Sequence, residues 1–338
     1  MAAPSDPLPS ASDVDSSSAL SSWLAEHQST CASSFAQIAK DLPRTLSALA
    51  FLHDGEGEWR PALEMTLRAC AVWRPGRMTQ GVSYIAAMLL LHVDCDAEAA
   101  FVALANLLEQ PLFARLLLRL GPRDLALLFG SFDALLLSAL PAVHARFHSL
   151  SLRPDMFLLD WLLTGFARSM PLELAARIWD GWVCAGAAGD GAAGDAHATA
   201  SATSNAPAAA GSTGSGYAGG ADLGSASSDD HDALSGRGAA FLFRAAIGLL
   251  HFLFAAPELS GRDGLGDGAP FESAVEAVLR PPHALLLERI DQVLECIRAV
   301  RVGPAQVQAA LTEVARRVDQ RQRQMEEQEQ TLDTTQQY

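Results

Sequence analysis

The chain has 338 residues, 49% of them hydrophobic, a net charge of −15 and a charged fraction of 19%, below the quarter that is usual for globular proteins. So acidic a chain lacks the Lys and Arg surface that neutralises phosphates, which excludes broad nucleic-acid binding; Lys40 is its only lysine. Alanine and leucine dominate and β-branched residues are sparse, so an all-α fold is expected, with enough apolar material for one large domain or two small ones.

Residues 1–20 are Ser, Ala, Pro and Asp and read as a disordered N-terminus. No Lys or Arg precedes Lys40, so neither a secretory signal nor an arginine-rich transit peptide is expected. Helical spacing begins near residue 21 with Leu20, Trp23 and Leu24, followed by Phe35 and Ile38. Segments 60–73, 82–93, 96–108 and 111–120 each predict a helix of three or four turns. Residues 123–147 predict one long helix or two, since Pro141 demands a kink or a break. Met156 to Ala167, almost wholly apolar, predicts a central core helix. Residues 172–183 place Ala175, Ile178, Trp179, Trp182 and Val183 on one face, with Pro171 where a first turn tolerates it.

The composition then changes abruptly. Residues 187–238 are Ala, Gly, Ser, Thr and Asp with almost no large hydrophobes, and read as a long disordered insertion. The helical pattern resumes at Phe241. The run from Ala239 to Ala256 approaches membrane-spanning length, but Arg244 and His251 interrupt it, so it reads as a buried core helix and the chain as soluble. Leu287, Ile290, Leu294 and Ile297 predict a helix over 284–301. Residues 303–338 form a polar C-terminal helix in which Leu311, Val318, Met325 and Leu332 recur every seven residues; a coiled-coil seam and a solvated helix fit that spacing equally. The helical domain proper is expected to span 21–302, interrupted by the insertion.

Most familiar chemistry is absent: the sequence holds no GxSxG, no Walker-type phosphate loop and no HExxH. The five cysteines are scattered, with no CxxC pair, as expected of reduced cytosolic thiols. His144 and His148 lie four apart and can share a helix face as metal ligands do, but no Glu follows His144 and no third ligand is evident. A plain histidine pair, and no metal, is the expectation. Asp41 and Arg44 are three apart, a spacing that on most helices makes a solvated surface pair, and Gln80 stands in a turn, Pro75 to Gly81, that leads into an apolar helix.

The order of segments carries more than any one of them. Ile38-Ala39-Lys40-Asp41-Leu42-Pro43-Arg44 resembles the IxxDxxR motif of TBC domains, the Rab GTPase-activating family. Gln80-Gly81-Val82-Ser83-Tyr84 resembles that family's YxQG segment and the helix after it. Pro154-Asp155, Asp160-Trp161-Leu162-Leu163-Thr164, Pro171-Leu172, Arg177-Ile178-Trp179-Asp180 and Phe241-Leu242-Phe243-Arg244 follow in the family's order, covering roughly residues 35–260. The resemblance implies a multi-helix TBC domain that activates a Rab-family small GTPase in its GTP-bound form and so regulates vesicle trafficking. Arg44 would be an arginine finger and Gln80 a glutamine finger, acting on charge that develops on the phosphoryl oxygens. Asp41 would orient the guanidinium, and Gly81 would let the backbone approach the nucleotide.

Trp161, Trp179 and Phe243 would be core anchors, with Arg177, Asp180 and Arg244 in a buried ionic network. The resemblance implies no cofactor of the chain's own, because GTP and Mg2+ travel with the partner. It implies an enzyme regulator rather than an enzyme, cytoplasmic and recruited to endomembranes through that partner. Three departures stand out. Met78 occupies the family's tyrosine position, the turn before Gln80 is about one residue short, and the family's N-terminal GxPxxxRxxxW segment does not occur before residue 35. A Rab-binding scaffold of weak or no activity is the alternative these departures keep open.

Overall fold

The computed structural model describes residues 31–54, 57–74, 81–110, 121–187, 236–262 and 264–336. The expected disordered N-terminus, the helix expected over 111–120 and nearly all of the 187–238 insertion lie outside these residues, as do Met78 and Gln80. Among the described residues every regular element is a helix.

The first helix, α1 (Ala32–Asp41), buries Phe35 and Ile38; Leu42 keeps α dihedrals, φ −50° and ψ −50°, and the helix gives way there because Pro43 has no N–H to continue the hydrogen-bond ladder. A single 3-10 turn, Leu42–Arg44, follows. Then come α2 (Trp59–Trp73), α3 (Val82–His92) and α4 (Ala97–Glu109). Asp96 caps α4, its carboxylate accepting from the amides of Glu98 at 2.9 Å and Ala99 at 3.0 Å. Helix α3 is apolar nearly all round because α2 and α4 both pack on it; Ile85, Ala86, Ala87 and Leu90 are wholly buried.

The 123–147 stretch resolves into two helices, α5 (Pro122–Ala139) and α6 (Pro141–Ser149), broken at Leu140 as Pro141 requires. The helix expected over Met156 to Ala167 is shorter than its apolar pattern suggests. It consists of a 3-10 turn, Pro154–Met156, and α7 (Leu158–Leu163). It ends there because Gly165 and Phe166 both adopt positive φ, 56° and 66°, which no helix accommodates. Helix α8 (Leu172–Ala187) begins right after Pro171.

Helix α9 (Arg237–Ala255) is the centre of the C-terminal half, packed against α8 on one side and α12 (Ile290–Ala299) on another. By length and composition α9 is apolar enough to cross a membrane, with a mean hydropathy of 1.7, yet 67% of that stretch is buried inside the helical body. Gly248 is what lets α12 come so close: a Cβ there would lie 2.5 Å from the Ile297 Cα. Between them run α10 (Phe271–Leu279) and α11 (His283–Glu288), so the single helix expected over 284–301 is two, separated at Arg289.

The last helix, α13 (Pro304–Gln336), divides lengthwise. Val307, Leu311, Val314 and Ala315 are buried against the body, mainly along α5, and Arg123 pairs with Asp319 across that contact. Beyond Val318 the helix leaves the body, and Met325 is 62% exposed. The first heptad positions therefore face this chain's own α5.

Phe132, Phe147, Phe157, Trp161, Phe166 and Phe243 form the aromatic centre of the core, joined by edge, tilted and, between Phe132 and Phe243, stacked contacts with centroids 4.6 to 6.4 Å apart. Trp161 and Phe243 are both fully buried within it. Trp179 is half-buried and donates its indole N–H to the Gly165 carbonyl at 2.8 Å, which holds the positive-φ turn. The expected buried ionic network is absent among the described residues. Arg177 and Asp180 are exposed on the outer face of α8. Arg244 is half-buried against the Phe241 ring, 4.9 Å from its centroid, and burial pulls its pKa down. Taking charges out of water without full hydrogen bonding is costly, and the helix phasing avoids it for Arg177 and Asp180, whereas the Arg244 Nε is buried without a hydrogen bond.

Candidate functional site

Arg44 ends the 3-10 turn after α1, with its side chain exposed. Its main chain is held from two directions. The Tyr84 hydroxyl, one turn into α3, donates to the Arg44 carbonyl oxygen at 2.7 Å. Next door, the wholly buried Thr45 hydroxyl donates to the Asp41 carbonyl at 2.9 Å and accepts from the Ser83 hydroxyl at 2.8 Å. Two successive residues of the arginine turn are therefore tied to two successive residues of the first turn of α3.

Gly81 caps α3 with φ 107°, and a Cβ on it would lie 2.9 Å from the Leu163 carbonyl oxygen. The start of α3 is thus wedged between the arginine turn and the end of α7. Only glycine meets both demands, the positive φ and the close approach. Gln80 is one peptide bond earlier in the sequence and lies outside the described residues.

Asp41 acts differently from expectation. Its carboxylate accepts from the Gln37 side-chain amide at 3.1 and 3.2 Å, and among the described residues it makes no ion pair with Arg44. The spacing of three would bring the pair together on a continuing α-helix, but the 3-10 turn rotates Arg44 away from the Asp41 face. Asp41 contributes through its carbonyl, which accepts from the Thr45 amide at 3.1 Å and from the Thr45 hydroxyl. The Arg44 guanidinium has no ion pair or hydrogen bond among the described residues, which leaves it open to a partner.

Two charged residues that sequence reasoning passed over stand beside these. Asp160 of α7 takes the Arg168 guanidinium on one oxygen at 2.7 Å and the Ser169 hydroxyl on the other at 2.9 Å. Burial raises the Tyr84 phenol above its usual value; Arg168 lowers it, Asp160 and Asp41 raise it, and Arg44 lowers it. The net direction is upward, so the phenol stays protonated at neutral pH and remains a donor. It also follows that Arg44, Asp41, Asp160 and Arg168 all lie within electrostatic reach of one hydroxyl. Tyr84 was missed because a tyrosine within an apolar helix reads as core. The available signal was its place in the first turn, where a hydroxyl can reach a neighbouring main chain.

Exposed arginine, clamped main chain and a glycine-capped helix start thus meet at one place on the molecule. A sequence model of the Rab-GTPase-TBC domain matches residues 13–190, more than half of the chain. The chain belongs to the Rab-GTPase-TBC domain family. The matched span begins ahead of residue 35, where the family's N-terminal motif was not visible.

TBC1 domain family member 14 of Bos taurus and TBC1 domain family member 12 of Xenopus tropicalis are each 35% identical to this chain over 144 residues, 42% of the chain and 20% of either relative. The Rab GTPase-activating protein eat-17 of Caenorhabditis elegans is 31% identical over 144 residues, 16% of its own length. The chain thus spans about a fifth or less of the curated relatives it matches. Among solved structures, the Ypt/Rab-GAP domain of Gyp1p aligns over 88% of this chain and 80% of its own at 13% identity, with a TM-score of 0.47. Within the TBC domain, Arg44, Gly81 and Tyr84 all fall inside the matched span.

Proposed function

We propose that this TBC chain accelerates GTP hydrolysis by a Rab-class small GTPase, with Arg44 as an arginine finger and Gln80 as a glutamine finger supplied to the partner. The observation that carries the reading is the double tie between the Arg44–Thr45 main chain and Ser83–Tyr84, which brings the arginine turn to the helix start that Gln80 precedes. In phosphoryl transfer the transition state is loose and spreads charge over the equatorial oxygens, so catalysis is positioning plus electrostatic stabilisation. A free guanidinium on a clamped main chain supplies both, because its charge is available and its origin is fixed. The Gln80 carboxamide orients the attacking water. Nucleotide and Mg2+ belong to the partner, bond cleavage occurs there, and the chain is a regulator. It is cytoplasmic and reaches endomembranes, where vesicle transport is controlled, through the GTPase it engages.

Single-turnover phosphate release across a panel of GTP-loaded Rabs tests this. Wild type is expected to accelerate at least one Rab, and Arg44→Ala to lose about 10³-fold or more of that stimulation. Arg44→Lys is expected to recover little, because an ammonium lacks the planar fork. Gln80→Ala should also fall steeply. Met78, standing where the family has tyrosine, favours the second reading, a Rab-binding scaffold that does not stimulate hydrolysis. Saturable binding to a GTP-loaded Rab with no acceleration, unchanged by Arg44→Ala, would establish that reading and overturn the first.

A further inference from the structure

Where α5 and α6 fold back on each other around Leu140–Pro141, three side chains converge that the finger site does not use. His144 and His148 project one turn apart from α6, as their spacing requires, and α5 contributes Asp133. The His148 Nε2 lies 2.8 Å and the His144 Nε2 3.3 Å from the same carboxylate oxygen, Oδ1 of Asp133. The two rings sit 4.3 Å apart, and the three donor atoms all fall within 4.8 Å of one another.

A histidine pair hydrogen-bonded to an aspartate would satisfy every group, but this one does not. The His144 Nε2 is buried and makes no hydrogen bond, its approach to Asp133 being off-angle. A buried ring nitrogen beside a carboxylate and a second imidazole, yet bonded to neither, has the surroundings of a ligand atom for a shared ion.

We propose that Asp133, His144 and His148 bind a first-row transition-metal dication of the zinc class through two imidazole nitrogens and one carboxylate oxygen, the remaining positions going to water. Bonds of about 2.0–2.2 Å to a tetrahedral ion place neighbouring donors about 3.3–3.5 Å apart. The His144 to Asp133 separation already has that value; His148, half-exposed at the helix surface, has to withdraw from Asp133 by about half an ångström, and the two imidazole donors, within 4.8 Å of each other, have to settle at the same spacing. Two nitrogens and one carboxylate exclude calcium and magnesium, which take oxygen donors. The ion would staple α6 to α5, and α5 is the helix on which α13 rests. This site is independent of the finger reading: none of its three residues belongs to the Arg44 turn or to the start of α3.

The test is titration of the purified full chain with Co(II) chloride, followed by visible d–d absorption, and with Zn(II) chloride by calorimetry. Wild type is expected to bind one equivalent and to melt at a higher temperature with Zn(II). Asp133→Asn, His144→Gln and His148→Gln are each expected to weaken binding by about tenfold or more and to abolish the metal-dependent gain in Tm. Asp133→Asn keeps a carboxamide oxygen facing His148, and circular dichroism confirms that each variant is folded. Failure of wild type to saturate would overturn the site. So would equal binding by all three variants, or a near-ultraviolet thiolate band that places the ion on cysteines.

Discussion

Replacing Gly81 by alanine tests how the start of α3 is seated. Two independent penalties apply. At φ 107° an L-residue carries a steric cost of about 1–2 kcal/mol. The new Cβ would also lie 2.9 Å from the Leu163 carbonyl oxygen, 3.1 Å from its Cβ and 3.2 Å from its carbonyl carbon. These are mostly backbone atoms at the end of α7 that cannot swing aside, so relief means moving α3 itself. Overpacking of that kind costs about 1–3 kcal/mol.

Together the destabilisation should be about 3–4 kcal/mol, a large part of the roughly 5–15 kcal/mol that holds a domain folded. It should lower Tm by about 10 °C. Thermal and urea unfolding followed at 222 nm read it directly. Gly186→Ala is the control: nothing lies within 4 Å of its added Cβ, so no loss is expected. A Gly81→Ala protein within about 0.5 kcal/mol of wild type would refute the seating of α3 against Leu163.

Tyr84→Phe deletes only the hydroxyl that grips the Arg44 carbonyl. Stability should change by about 1 kcal/mol, while stimulated hydrolysis falls about tenfold or more at unchanged Rab affinity, since a displacement near 1 Å can cost about 10²-fold. An equal loss in binding and rate would mark Tyr84 as a packing residue instead. The Thr45–Ser83 bond should appear in a double-mutant cycle of Thr45→Val and Ser83→Ala as a coupling of about 1 kcal/mol, and additive losses would show that the two hydroxyls stand alone.

Burial pushes the Cys70 thiol up to about 12 from its ordinary value of 9.0. Its contribution to stability is therefore complete below pH 9 and is lost as the pH rises from there towards 12, because the unfolded thiol ionises first. At pH 8 a disulfide reagent should label exposed Cys184 in the native chain and reach Cys70 only on unfolding. Equally fast labelling of both would contradict that burial.

Helices were legible wherever apolar spacing ran unbroken between proline and capping signals, as in α2, α4 and the break at Pro141. Errors came where backbone geometry overrode composition. The apolar run through Ala167 promised a long helix, but Gly165 and Phe166 turn into positive φ, and a phenylalanine gives no warning of that. Arg177 and Asp180 were assigned inward because their motif is shared with the family; three residues apart on α8, both fall on its outer face. Arg44 and Gly81 were singled out through resemblance, whereas the contacts of Tyr84, Asp160 and Arg168 emerged only when folding set α7 and the turn after it beside α3. Asp133 shows the same limit: no local pattern links it to His144, because the connection runs through the reversal at Pro141.

The grip on residue 44 is made through its carbonyl oxygen, an atom every amino acid possesses. Whatever side chain is installed there inherits the same perch, so the position works as an interchangeable socket. Citrulline, homoarginine or a photocrosslinker placed at 44 would project from an unaltered mount, and differences among them would report on the tip alone.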